Sequence, residues 1–232
     1  MYIIHYMTKT SKSPHKLRFA ILATDTVLFS KDQGGLKVLL MKVDRPPFYV
    51  QHWGVPGGLI HPKETADEAA KRHLWEKAGA KKFVHIEQLY TFSALDRDPR
   101  GRVVSVAYLA LTPTTDIVRR GGSEVRWFSV ENLPKLAYDH KDIIRTAIER
   151  VRSKLAYTNI AFGLLPEEFT LGELQRLYEV VLRRRFDKRN FRKKLFSLKL
   201  VVGTKKKKRA GRSRPAELYR FSERRHKVVG IL

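Results

Sequence analysis

The chain has 232 residues with 43% hydrophobic content, enough to bury a substantial core, and no cysteine, which excludes disulfides, thiolate metal sites and cysteine nucleophiles. Lysine and arginine number 47 against 23 acidic residues, a net charge of +24 that favours polyanionic partners. No apolar run approaches the length of a membrane span and residues 1–16 lack a secretory core, so a soluble cytoplasmic protein is expected.

In chain order, residues 1–16 read as a polar leader. Residues 17–30 (LRFAILATDTVLFS) are apolar and β-branched and predict a buried strand. A turn at 31–35 and a return strand at 36–43 make a hairpin, and Pro46-Pro47 lies in the loop that follows. Further strands are expected at 84–95, 102–112 and 125–130, the second nearly continuous in apolar residues, as a central strand should be. Between 95 and 102 the segment Asp96-Arg97-Asp98-Pro99-Arg100-Gly101 reads as a tight connection. A helix begins at Asp142, with Ile143, Ile144, Ala147, Ile148, Val151 and Leu155 at helical spacing; residues 157–165 read as extended. The domain boundary is placed near Tyr138, dividing the chain into 1–138 and 139–232.

The stretch 53–80 (WGVPGGLIHPKETADEAAKRHLWEKAGA) organises the first part. It predicts strand, glycine turn, loop and helix, with Thr65 and Glu68 as a capping box and Gly79 ending the helix. The spacing of Gly58, Glu64, Arg72, Leu74, Glu76 and Gly79 resembles the Nudix box, Gly-x5-Glu-x7-Arg-Glu-U-x-Glu-Glu-x-Gly-U with U aliphatic. That resemblance implies an α/β/α sandwich (α+β, with a mixed sheet). It also implies an enzyme family that uses glutamate-bound magnesium to cleave nucleoside diphosphates linked to another group. Two carboxylates of the pattern are missing: His73 stands after the arginine, and Lys77 replaces the second of the paired glutamates. Positions 73, 76 and 77 fall one turn apart and are read as one helix face. Magnesium wants oxygen ligands, so that face is expected to carry a crippled metal site with Glu76 its one remaining ligand. No cofactor is expected, magnesium entering only with residual hydrolysis. Arg72, Lys77, Arg97 and Arg100 are the candidate ligand-binding residues, Lys77 holding a ligand phosphate in place of the metal.

From Thr158 onward the chain carries +14 of its +24 charge. Thr170 and Glu173 make a second capping box ahead of an apolar stripe of Leu171, Leu174, Leu177, Tyr178 and Val181. Asp187 caps a short basic helix, with Phe186 and Phe191 as a hydrophobic staple. Phe191 and Leu195 turn inward, leaving Lys188, Arg189, Asn190, Arg192, Lys193 and Lys194 around the rest. Strands at 198–202 and 218–221 flank a connection carrying Lys205, Lys206, Lys207, Lys208, Arg209, Arg212 and Arg214. Helix, tight turn, basic helix and basic hairpin make a winged helix-turn-helix whose recognition helix reads bases and whose wing meets phosphate.

A Nudix-like domain followed by FTLGELQRLYE, DKRNFRKKL and RPAELYRF resembles the Nudix-related transcriptional regulators. The resemblance implies a homodimer on a double-stranded DNA operator, responsive to an ADP-ribose-like or sugar effector. The other reading is a hydrolase of ADP-ribose-like substrates with an appended basic module.

Overall fold

A computed structural model of the chain describes residues 20–32, 35–80, 82–117, 122–209 and 215–231. The leader of residues 1–16 and the start of the first expected strand lie outside them.

Seven strands form one mixed sheet. The path runs β3 (Tyr49–Gly54), β2 (Gly35–Arg45), β1 (Ile21–Asp32), β6 (Val103–Leu111), β5 (His85–Phe92), with β4 (Gly57–Leu59) on β1 and β7 (Val125–Ser129) on β2. Strands β1 and β6 pair in parallel, from Ile21 opposite Val103 to Phe29 opposite Leu111; the other strand pairs of the sheet among the described residues are antiparallel. The strand expected at the start of the box is therefore two, β3 and β4, broken at Val55-Pro56.

Side chains alternate across a strand, so each central strand feeds two cores. Leu28, Leu39 and Ala110 pack on one face against Leu74 and Ala78 of α1 (Ala66–Ala78). Val27, Phe29, Val38, Leu40, Leu109 and Leu111 point to the other face, against Ile143, Ile144, Ala147, Val151 and Leu155 of α2 (His140–Tyr157). This is the α/β/α sandwich. Helix α1 starts on the complete Thr65–Glu68 capping box and ends on Gly79 in the left-handed region, as its sequence dictates.

Two expectations change beyond the sheet. Helix α2 starts at His140, two residues before Asp142, and its N-cap Asp139 makes no capping hydrogen bond because its carboxylate is engaged elsewhere. Residues 157–165 are not extended: Ile160–Gly163 form a buried 3-10 turn. An apolar run that is buried on all sides carries no period to distinguish strand from helix.

The C-terminal unit comprises α3 (Leu171–Leu182), α4 (Lys188–Ser197) and the hairpin of β8 (Val201–Lys208) and β9 (Ala216–Phe221). Both reciprocal hydrogen bonds of the Thr170–Glu173 box are present. Asp187 accepts from the Asn190 amide at 2.8 Å, and the Phe186 and Phe191 rings of the staple lie 5.6 Å apart. The strand expected at 198–202 instead begins at Val201 and runs through Lys208, so the four lysines sit on β8 rather than in a connection. The apolar stripe of α3, with Phe191 and Leu195 of α4, joins the same continuous core as the α2 face of the sandwich. Residues 223–231 then return to α2, the Val229 amide donating to Tyr157 O at 2.7 Å and that of Ile231 to Ala156 O at 3.0 Å.

Candidate effector cavity and nucleic-acid interface

Between β1, β4, the end of β2 and the loop before β6 lies a cavity of about 860 Å³. That is within the size range of small-molecule sites. Lys77, Arg97 and Arg100 line it, together with Asp25, Arg45, Tyr138 and His140, which sequence reasoning missed. Asp25 and His140 carry no local motif; β1 and the start of α2 bring them together from residues far apart in the chain.

The cavity floor is a buried polar network. The Arg97 guanidinium is bidentate to Asp139 at 2.8 and 2.7 Å and also donates to Asp25 at 3.1 Å. Asp25 accepts from Ser105 Oγ at 2.6 Å and faces His140 Nε2 at 3.4 Å. His140 Nδ1 accepts the Val55 amide at 3.2 Å, so its neutral form carries the proton on Nε2, toward Asp25. Burial alone would raise the Asp25 carboxyl; His140, Ser105 and Arg97 outweigh it and hold Asp25 ionised. Arg97 is thus a brace of the cavity wall, with only 4% of its side chain exposed. Arg100 is half-exposed at the rim, where it is bidentate to Asp98 at 2.9 and 2.7 Å.

The Nudix-like box is arranged differently from the single face expected. Arg72 takes both oxygens of Glu64, at 2.9 and 2.5 Å, reaches Glu76 at 3.3 Å and donates to Leu59 O at 3.2 Å. It is no part of the cavity lining; it ties the box loop to α1. Its hydrogen bonds bring the Glu64 carboxyl down to about 2. Glu76 points toward Arg72 and solvent, while His73 and Lys77 turn under β4 toward Gly58. A Cβ at Gly58 would stand 2.6 Å from Lys77 Nζ and 3.0 Å from His73 Nε2. A side chain here would crowd both residues. His73 is buried with Nδ1 2.9 Å from Thr24 Oγ1; burial, then the Lys77 and Arg72 charges, push it down to about 4. It is a neutral core histidine. Lys77 Nζ donates to Gly57 O at 2.6 Å, and burial with the Arg45 and Arg72 charges holds it below the ordinary lysine value.

The expectation of Glu76 as a lone magnesium ligand meets a carboxylate turned to Arg72 at 3.3 Å. Among the described residues no three of His, Cys, Asp or Glu cluster in a way that could hold a metal ion. The donors at the family's metal position are an imidazole and an ammonium, which do not fit magnesium.

The second surface is basic. Lys188, Arg189, Asn190, Lys193 and Lys194 are exposed on α4, while Arg192 is half-buried. On β8, Lys206 pairs with Glu168 at 2.8 Å and Lys208 with Glu173 at 2.9 Å. Those two lysines draw the hairpin onto the start of α3. Lys205, Lys207 and Arg209 are exposed, and Arg212 and Arg214 lie outside the described residues. No described helix is long and apolar enough to cross a membrane.

Sandwich, box and basic hairpin together define a Nudix domain joined to a winged helix. The NUDIX domain profile matches residues 21–147, and the profile of the NrtR DNA-binding winged helix domain matches residues 161–221. The chain is 34% identical over 208 residues to the ADPR responsive transcriptional repressor NtrR of Acinetobacter baylyi, covering 87% of this chain and 82% of that one. Shewanella oneidensis NrtR complexed with a 27mer DNA superposes with a TM-score of 0.74 at 34% identity, covering 87% of this chain and 93% of the other. The NUDIX domain of the same Shewanella oneidensis protein, complexed with ADP ribose, matches with a TM-score of 0.53 at 35% identity, covering 60% and 94%. The chain belongs to the NrtR family of Nudix-related, DNA-binding transcriptional regulators.

Proposed function

We propose that this protein is a transcriptional repressor whose Nudix domain binds ADP-ribose, or a close analogue, without appreciable hydrolysis, and whose winged helix releases operator DNA in response. The relatives that bind ADP-ribose and DNA support the two ligands. The loss of carboxylates at His73 and Lys77 supports binding over turnover, with no metal cofactor. The protein would act as a homodimer in the cytoplasm, where its DNA lies. Its two recognition helices would enter major-groove faces about 34 Å apart or a multiple of that.

One observation carries the coupling. Helix α2 begins in the cavity wall, where Asp139 holds Arg97 and His140 faces Asp25, and its other half packs on the winged helix. There Arg152 Nε donates to Val181 O of α3 at 2.9 Å. An effector that contacts Arg97 or His140 touches the element that positions α3. Such an effector acts only through a difference in affinity between the DNA-competent and incompetent arrangements.

The test uses an operator selected from a random duplex library. ADP-ribose is titrated into the protein with and without that DNA. Linkage requires operator to weaken effector binding by the same factor that effector weakens operator binding. Equal effector affinity in both titrations would remove the coupling and leave the DNA-binding activity standing.

A further inference from the structure

We infer that Lys77 stands where a Nudix hydrolase would carry its divalent cation, and that its ammonium takes the phosphate charge of the effector directly, with no metal. The inference rests on the preceding reading for the kind of effector, a diphosphate carrier.

Five observations converge on this residue. The box glutamates are committed: Glu64 gives both oxygens to Arg72, and Glu76 turns to the same arginine, away from the cavity lining. Lys77 does line the cavity. Its Nζ spends one hydrogen bond on Gly57 O and, among the described residues, pairs with no carboxylate. An ammonium has three donors, so two remain. The other cations of the wall are largely matched, Arg97 by Asp25 and Asp139, Arg100 by Asp98 and, at 4.0 Å, Lys42 by Glu124; Lys77 and Arg45 are the lining cations left over among the described residues. Finally, Gly58 keeps the space beside Nζ clear of a side chain.

The chemistry follows from the substitution. A bound metal in such a site both offsets phosphate charge and generates an attacking hydroxide. A lysine supplies only the first: it is a point charge suited to phosphate, and it does not lower the pKa of a coordinated water. A lysine at position 77, next to a box whose glutamates are engaged by Arg72 and whose other carboxylate position is His73, thus keeps the affinity for a diphosphate without supplying the means of cleaving it.

The experiment is calorimetry of ADP-ribose, and separately of ADP, with the full chain in EDTA and with magnesium in excess. Binding should be the same in both buffers. Lys77→Met keeps the aliphatic stem and removes the charge; affinity should fall roughly tenfold to a hundredfold, the worth of one charge-assisted hydrogen bond. The variant's melting temperature is recorded alongside, and the metal independence of the unaltered protein is a readout that no folding defect can imitate. Binding that requires magnesium, or undiminished binding by Lys77→Met, overturns the role of Lys77 while the effector reading survives. Lys77-dependent binding of ADP with none of ADP-ribose does the reverse, and binding of neither probe overturns both.

Discussion

The cavity and the winged helix are both rich in cations, but they use most of them in opposite ways. In the cavity wall Arg97 is buried and held by two carboxylates, and beside the cavity Arg72 is engaged by Glu64, Glu76 and a carbonyl. On α4 every cation but the half-buried Arg192 is exposed, and Lys188, Arg189, Lys193 and Lys194 form no ion pair among the described residues. The contrast separates two jobs. A buried pair fixes geometry, because an unmatched charge there is costly. An exposed, unmatched cation is available to a phosphate backbone or a base edge.

The largest effect should come from breaking the buried side of this comparison. Arg97→Ala strands Asp25 and Asp139 and should lower stability by about 3–5 kcal/mol, the usual cost of removing one partner of a buried pair. Chemical denaturation measures it, and a change below about 1 kcal/mol would mean the network is solvated. Next is a pH effect. His73 has a folded value of about 4 against 6.5 for the free side chain. A depressed histidine contributes stability that is complete above pH 6.5 and is lost as pH falls toward 4, because the unfolded chain then binds the proton and the fold does not. The amount is up to about 3 kcal/mol. His73→Asn should flatten the stability profile in that window; an unchanged profile would place the histidine in water.

On the exposed side, Arg189→Ala should leave the fold intact and relax base discrimination by about 1–3 kcal/mol. Asn190→Ala should act similarly. Competition between operator and random duplex is the measurement, and equal losses on both DNAs would reduce these residues to phosphate contacts. The smallest effect sharpens the comparison at its intermediate case. Lys206 and Lys208 are exposed yet paired, whereas Lys205 and Lys207 form no ion pair among the described residues. Each phosphate contact contributes about 0.9 to the slope of log affinity against log salt. Replacing Lys205 and Lys207 by alanine should flatten that slope more than replacing Lys206 and Lys208. The reverse order would show that the ion pairs to Glu168 and Glu173 open on DNA.

Sequence alone was informative wherever a local rule applied. The two capping boxes, Gly79 as the end of α1, the Phe186–Phe191 staple and the two-faced strands all follow from near neighbours in the chain, whose geometry a helix or strand dictates. The Nudix-like frame and the basic hairpin were legible for the same reason. What the tertiary structure decided is where each charge points. Spacing put His73, Glu76 and Lys77 on one face, but 3.6 residues per turn spread over five positions cover enough arc for His73 and Lys77 to turn under β4, the first buried and the second half-buried, and for Glu76 to be left to Arg72. Arg97 could have faced a ligand or a carboxylate; Asp25 and Asp139, 72 and 42 residues away, settled it. The lysines of β8 likewise divided into paired and free only once the hairpin met α3. Local rules act through backbone hydrogen bonds and short-range packing, whereas the partner of a long charged side chain is set by whichever distant element the fold brings within reach.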